Sequence, residues 1–380
     1  MRTLLLLLAL APGCTRTLGS ADRVEPTFLT VALSGDLGTQ DAPLDFNTTA
    51  TDWTVEVHTL DHNGDAYPYN GDLKIRVRPG TLDMDPWVPV TDGVYTGTVT
   101  FHAGFGPTRI WFSDEGDKSS SSTRAPSYAT GVSDPIWYKK PTIREMQTTT
   151  DNDTNALEGE FAELRVDDRQ VVVTALGTDG FWVTDLADEP GTYNSLFVYT
   201  FNEPRDVVLG DRLTLLNGGD NEYLGATQFS WPTYESAEGE SYTPPDPFQL
   251  DETTGCDDAA LEGLEAALVE LPTATIPSDF VEGSETYADW LEYGQWPVSL
   301  GACSFVVESD GTVPDFLPTD HVGETLTPVR GLLTQLWSTW VILPRGPEDL
   351  GLEAEATAKT VSRPRPRPVP ATLPPSLHAP

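Results

Sequence analysis

The chain has 380 residues, enough for two or three domains that each bury a core. Its 22 Lys and Arg stand against 59 Asp and Glu, and a formal charge of −37 argues against a nucleic-acid or anionic-membrane binding surface. A hydrophobic content of 38% with 10 Trp, 12 Tyr and 14 Phe excludes a disordered polyelectrolyte, while 32 Gly and 32 Pro leave little room for long helices, so the expected fold class is all-β.

At the N-terminus, Met1-Arg2-Thr3 gives a short positive start and Leu4 to Leu10 an apolar run too short to span a bilayer, the pattern of a secretory signal peptide over residues 1–13. The run ends in Ala11-Pro12-Gly13-Cys14, which resembles the lipobox of bacterial lipoproteins, with Ala in place of the commoner Leu three places before the cysteine. That resemblance implies cleavage before Cys14, acylation of its thiol and amine, and stable anchoring by several chains through a linker over 14–23. Thr15, where an Asp would retain a Gram-negative lipoprotein in the inner membrane, implies the outer membrane, with the protein facing the periplasm or the cell surface. An ordinary signal peptide cleaved nearby is the alternative. Export to an oxidising compartment lets Cys256 and Cys303 pair, which leaves no thiol over once Cys14 is acylated. Two separate buried thiols are the rival reading.

From 24 to 140, runs with the alternation of half-buried strands (28–33, 53–60, 73–80, 94–101 and 108–112) are separated by Asn63-Gly64, Asn70-Gly71 and Asp92-Gly93 turns, which predicts a β-sandwich. GPTRIWFSDEG and SYATGVSDPIWY, either side of a polar tip at Ser119 to Ser122, resemble the terminal strands of Ig-like domains in exported bacterial lipoproteins.

Over 141–250 a long first strand (162–176), a short aromatic strand (180–185), a third strand (196–201) and a long pair opening at Gly210-Asp211 resemble the OB-fold barrels of secreted bacterial proteins. A weak internal repeat sets Gly210-Asp211-Arg212-Leu213-Thr214 beside Gly323-Glu324-Thr325-Leu326-Thr327, and GATQFSWP (225–232) beside STWVILPR (338–345) as closing strands. A second OB-like barrel is therefore expected over 251–352, with a helical turn up to Leu264, a strand after Ala267, and a short helical insertion around Thr286 to Glu292 that the disulfide ties to the barrel. Residues 353–380 form a Pro-rich, locally basic tail with Lys359, Arg363, Arg365 and Arg367, expected to be disordered.

The sequence holds no Gly-x-Ser-x-Gly elbow, no Cys beside a His, and five scattered histidines without zinc-ligand spacing, so no catalytic constellation is visible. Calcium is the more plausible ion: Asp61, Asn63 and Asp65, and Asp151, Asp153 and Asn155, place oxygens on alternate residues, although neither set completes an EF-hand loop and acidic turns explain both. In an OB-like barrel, Trp182, Tyr199, Tyr223 and Trp231 are the candidate stacking rings, among aromatics of which alternate positions must fill the core. Between Thr142 and Leu250, 5 Arg and no Lys face 21 acids, which would repel a phosphate backbone. The expectation is a non-catalytic, surface-anchored outer-membrane lipoprotein with a binding or envelope-organising role, a glycan or an envelope protein being the candidate partner, in the style of uncharacterised lipoproteins of large-genome Gram-negative bacteria. The alternative is a carbohydrate-binding or calcium-dependent adhesion module accessory to a secreted hydrolase.

Overall fold

The computed structural model describes residues 28–115, 129–148, 154–155 and 157–352. The expected signal peptide, Cys14 and its linker, the 119–122 loop tip, Asp151, Asp153 and the basic tail lie outside the described residues. The protein is all-β, and no helix among the described residues is long and apolar enough to cross a membrane.

Among the described residues the first body has nine strands: β1 (Phe28–Ser34), β2 (Thr51–Leu60), β3 (Gly71–Arg78), β4 (Thr81–Leu82), β5 (Trp87–Val90), β6 (Val94–His102), β7 (Gly106–Ser113), β8 (Thr130–Val132) and β9 (Ile136–Tyr138). One sheet runs β1-β2-β6-β4 and the other β5-β3-β7-β8, with β9 also on β7. Alternation sets the faces: Trp53, Val55 and Val57 of β2 point inward to meet Leu73, Ile75 and Val77 of β3 and Ile110 and Phe112 of β7 in one core. The Trp53 indole N–H donates to the Tyr138 hydroxyl (3.2 Å), so the one polar atom of that ring is satisfied inside the sandwich.

A one-turn helix, α1 (Ile143–Gln147), held by a Thr142–Glu145 capping box, leads to β10 (Phe161–Glu163), β11 (Val171–Leu176), β12 (Gly180–Asp185), β13 (Ser195–Tyr199), β14 (Asp211–Tyr223) and β15 (Ala226–Ser241). The strand expected over 162–176 is in fact two. Arg169 pairs with Asp185 and Asp188 and folds the intervening turn back against β12, which breaks the run. Strands β11-β12-β13-β15-β14 close into a five-stranded barrel when β14 meets β11 at Arg212 and Val172. Its pairs are antiparallel except β13 and β15, which run parallel. Phe46, Ala103 and Phe105 of the sandwich share the core of this barrel with Ile143, Met146, Phe181 and Phe229. Ion pairs Arg78–Glu160 (2.5 Å) and Lys140–Glu163 (2.6 Å) flank that contact.

The third body comprises β16 (Phe248–Gln249), α2 (Glu252–Gly255), α3 (Asp258–Glu262), β17 (Leu268–Leu271), β18 (Ala274–Thr275), α4 (Glu285–Tyr293), β19 (Gln295–Leu300), β20 (Cys303–Glu308), β21 (Thr325–Leu326), β22 (Val329–Leu336) and β23 (Thr339–Leu343). Its sheet runs β16-β17-β22-β23-β20-β19-β18-β21. Only Pro272 and Thr273 separate β17 from β18. Taken as one bent strand, they give the same order as the first barrel, again with the closing strand (β23) parallel to the third (β20). Cys256 and Cys303 are bonded, with Cα atoms 5.0 Å apart across 47 residues. The bond corrects one expectation: it ties the α2–α3 lead-in, not the α4 insertion, to the β19–β20 hairpin. The insertion is held by ring packing instead, with Tyr287 and Trp290 against Phe280 at about 6 Å between centroids.

The outer face of the first barrel as a candidate functional site

On β12 and β13 alternate residues part company. Phe181, Val183, Leu196 and Val198 fill the barrel, whereas Trp182, Phe197 and Tyr199 point outward. Those outward rings form a strip of contacts: Trp182 to Phe197 (4.6 Å between centroids), Phe197 to Tyr199 (6.3 Å), Tyr199 to Phe201 (4.3 Å) and Phe201 to Trp231 (4.2 Å). Beside them on the same face Gln228 and Ser230 of β15 and Asn221 of β14 make an amide–hydroxyl cluster, in which Ser230 Oγ donates to Asn221 Oδ1 (2.9 Å).

The strip ends in solvent. Trp231 is 71% exposed and Phe201 39%, and each holds a positive φ, 55° and 65°. Trp231 lies where the β14–β15 register slips between Asn217 and Gly219, so two residues of β15 stand against one of β14, and this bulge turns the indole out of the sheet. Bulky side chains at positive φ are costly, roughly 1–3 kcal/mol each, and such backbone clusters at functional sites.

The other end of the strip is covered. Trp182, 2% exposed, packs with Phe197 and Ala175 against Ala266, Leu332, Leu336, Val341 and Leu343 of the third body. This corrects the expectation that Trp182 offers a stacking surface: its ring is buried where the first barrel meets the third body. Tyr199 is half-buried within the strip, and Tyr223, 39% exposed, stands at the hairpin end of β14 opposite Ala226. Phe201, in the loop after β13, was missed by the sequence reading; an aromatic continuing the 197, 199 alternation was the available signal.

Hydrogen bonds between the first barrel and the third body include Trp337 N–H to the Leu224 carbonyl (2.9 Å), Tyr193 N–H to the Gly263 carbonyl (2.8 Å), and Thr227 N–H to Glu265 Oε2 (2.9 Å). Glu265 is 2% exposed, and its Oε1 has no partner. Burial, then the carboxylates of Glu262 and Glu222, push its carboxyl well above the ordinary range. A void of about 20 Å³, room for one water, opens there among Trp182, Phe197, Thr227, Glu265 and Thr334. Asp220 on β14 is similar. Neither oxygen has a hydrogen bond of ordinary geometry, and burial and the Glu222 charge raise it strongly, with the nearby Asn155 amide a smaller opposing influence.

The candidate calcium turn at Asp61 is hydrogen-bonded within itself. Asp61 Oδ1 accepts from the backbone N–H of Asn63 (2.8 Å) and of Asp65 (3.0 Å), and the Asn63 N–H holds the carboxyl below its usual value, so the turn itself uses the oxygens. Among the described residues no group of three His, Cys, Asp or Glu side chains is placed to hold a metal ion. No protein-family model, curated protein or solved structure matches the chain.

Proposed function

We propose that this chain is an exported, lipid-anchored, non-catalytic binding protein of the outer envelope whose ligand is a carbohydrate, held on the aromatic strip of the first barrel. The observation that carries the reading is the strip itself, which runs from Tyr199 through Phe201 to an indole 71% exposed on a strained bulge. Sugar rings present apolar C–H faces to aromatic rings and hydroxyls to amides and hydroxyls, and Asn221, Gln228 and Ser230 lie beside the rings to meet the second need. The surplus of acids on this barrel selects against phosphorylated and uronic polymers. The strand order, with third and closing strands parallel in both barrels, supports the OB-like reading, and on such barrels the outer face of the second and third strands commonly takes the ligand. The two packed sheets of the first body support the Ig-like reading in the same way. Cys14 in its lipobox-like setting supports the anchor.

Calorimetric titration with neutral oligosaccharides selected from a glycan array tests the reading. Trp231→Ala and Phe201→Ala should each weaken binding at least tenfold while the melting temperature stays within a few degrees of wild type. Unchanged affinity in both variants would sink the assignment.

A further inference from the structure

Half of the aromatic strip is hidden, and the surface that hides it closes beside a cluster of acid groups. Trp182 and Phe197 continue the exposed rings without a gap, yet the second barrel covers them through Ala266, Leu332, Leu336, Val341 and Leu343. Beside that apolar contact lie Glu265, on the approach to β17, Glu262 of α3 and Glu222 of β14. The two largest electrostatic influences on Glu265 are both carboxylates, and Thr334 and Leu343, which line the void from the second barrel, bring no charge. Beyond Glu262 stands the Tyr193 phenol, itself pushed up by burial and by Glu262.

We propose that the second barrel is a proton-dependent cover, so that Trp182 and Phe197 join the ligand face when the carboxyl cluster at the junction ionises. The inference rests on the reading of the strip as a ligand site. Its direction follows from linkage. When the junction opens, Glu265 regains water and its ordinary pKa of 4.5, whereas when closed it holds its proton to higher pH. The closed form is therefore fully favoured below about 4.5 and loses ground as pH rises through the closed-state value. Glu265 then becomes an anion beside the carboxyl groups of Glu262 and Glu222, and its charge in that buried site opposes the packing at the junction. At Gly191 and Gly263 the two backbones meet so closely that a Cβ on Gly263 would stand 2.7 Å from the Gly191 carbonyl oxygen, so this is the contact that opening would have to part.

Hydroxyl-radical footprinting of the full chain at pH 5 and pH 8, read by mass spectrometry, tests the cover without any sugar. In wild type the oxidation rate of Trp182 should rise several-fold at pH 8, while Trp53 and Trp296, buried in the sandwich and second-barrel cores, stay flat. Glu265→Gln should keep Trp182 protected at both pH values, and Glu222→Gln, which removes a like charge from the opposite side, should reduce the rise. Equal protection at both pH values in wild type, or an undiminished rise in both variants, would overturn the proposal. Titration with a neutral oligosaccharide at the two pH values separates the two ideas: a pH-dependent footprint with no sugar binding removes the ligand reading and leaves the cover, and sugar binding with a flat footprint does the reverse.

Discussion

Trp231 and Trp182 are two indoles of one strip with opposite energetic duties. Trp182 is packed between barrels, and its loss to Ala should cost about 3–5 kcal/mol, the usual range for a buried aromatic, whereas Trp231 is mostly in solvent and the same change should move stability by only about 0.5 kcal/mol. Urea denaturation of the two variants measures that contrast. Asp220 carries a different kind of cost. Its folded carboxyl is raised above the ordinary value of 3.8, so its contribution to stability is complete below pH 3.8 and is lost as pH rises through the folded value. Asp220→Asn should therefore stabilise the protein at pH 8 by about 1–3 kcal/mol, an advantage that shrinks toward pH 4. A pH-independent difference between the two proteins would show that Asp220 is not held neutral.

At the scale of elements, strands with alternation were legible: 28–33 and 94–101 reappear almost residue for residue as β1 and β6, because a half-buried face imposes period two on the sequence, and the short aromatic strand at 180–185 returns as β12, buried on both faces. The helical lead-in ending before Leu264 and the strand after Ala267 were legible too, as was the pairing of Cys256 with Cys303. What was not legible depended on distant partners. The break at Arg169 comes from carboxylates on β12 and the loop after it, the reach of β15 to Ser241 from its pairing with β14, and the covering of Trp182 from a barrel some 80 to 160 residues further along. An outward aromatic on a strand reads the same whether solvent or another domain lies beyond it. The disulfide carries a prediction at this scale. It fastens the α2–α3 lead-in to the β19–β20 hairpin, and replacing both cysteines by Ala should cost about 3–4 kcal/mol on a chain-entropy account. Urea midpoints of the variant and of the reduced wild type should fall together below that of the oxidised wild type; equal midpoints in all three would show that the third body packs as firmly without the bond.

For the whole molecule, the proposed anchor at Cys14 would decide where the proposed binding face works. Intact mass and membrane fractionation of native protein should show an acylated wild type sedimenting with the outer membrane and a Cys14→Ser variant that does not. A soluble, unmodified wild type would replace the tether by free secretion. The described residues are all downstream of that cysteine, and they are linked by more than sequence. Phe46 and Phe105 leave the sandwich to complete the core of the first barrel, and Trp182 leaves that barrel to complete a cluster with the second. Each body thus lends an aromatic to the next and would expose a raw apolar patch if cut free. The three are consequently poor candidates for shuffling: recombination at the junctions would deliver fragments prone to aggregate, and the architecture is expected to be inherited as a block.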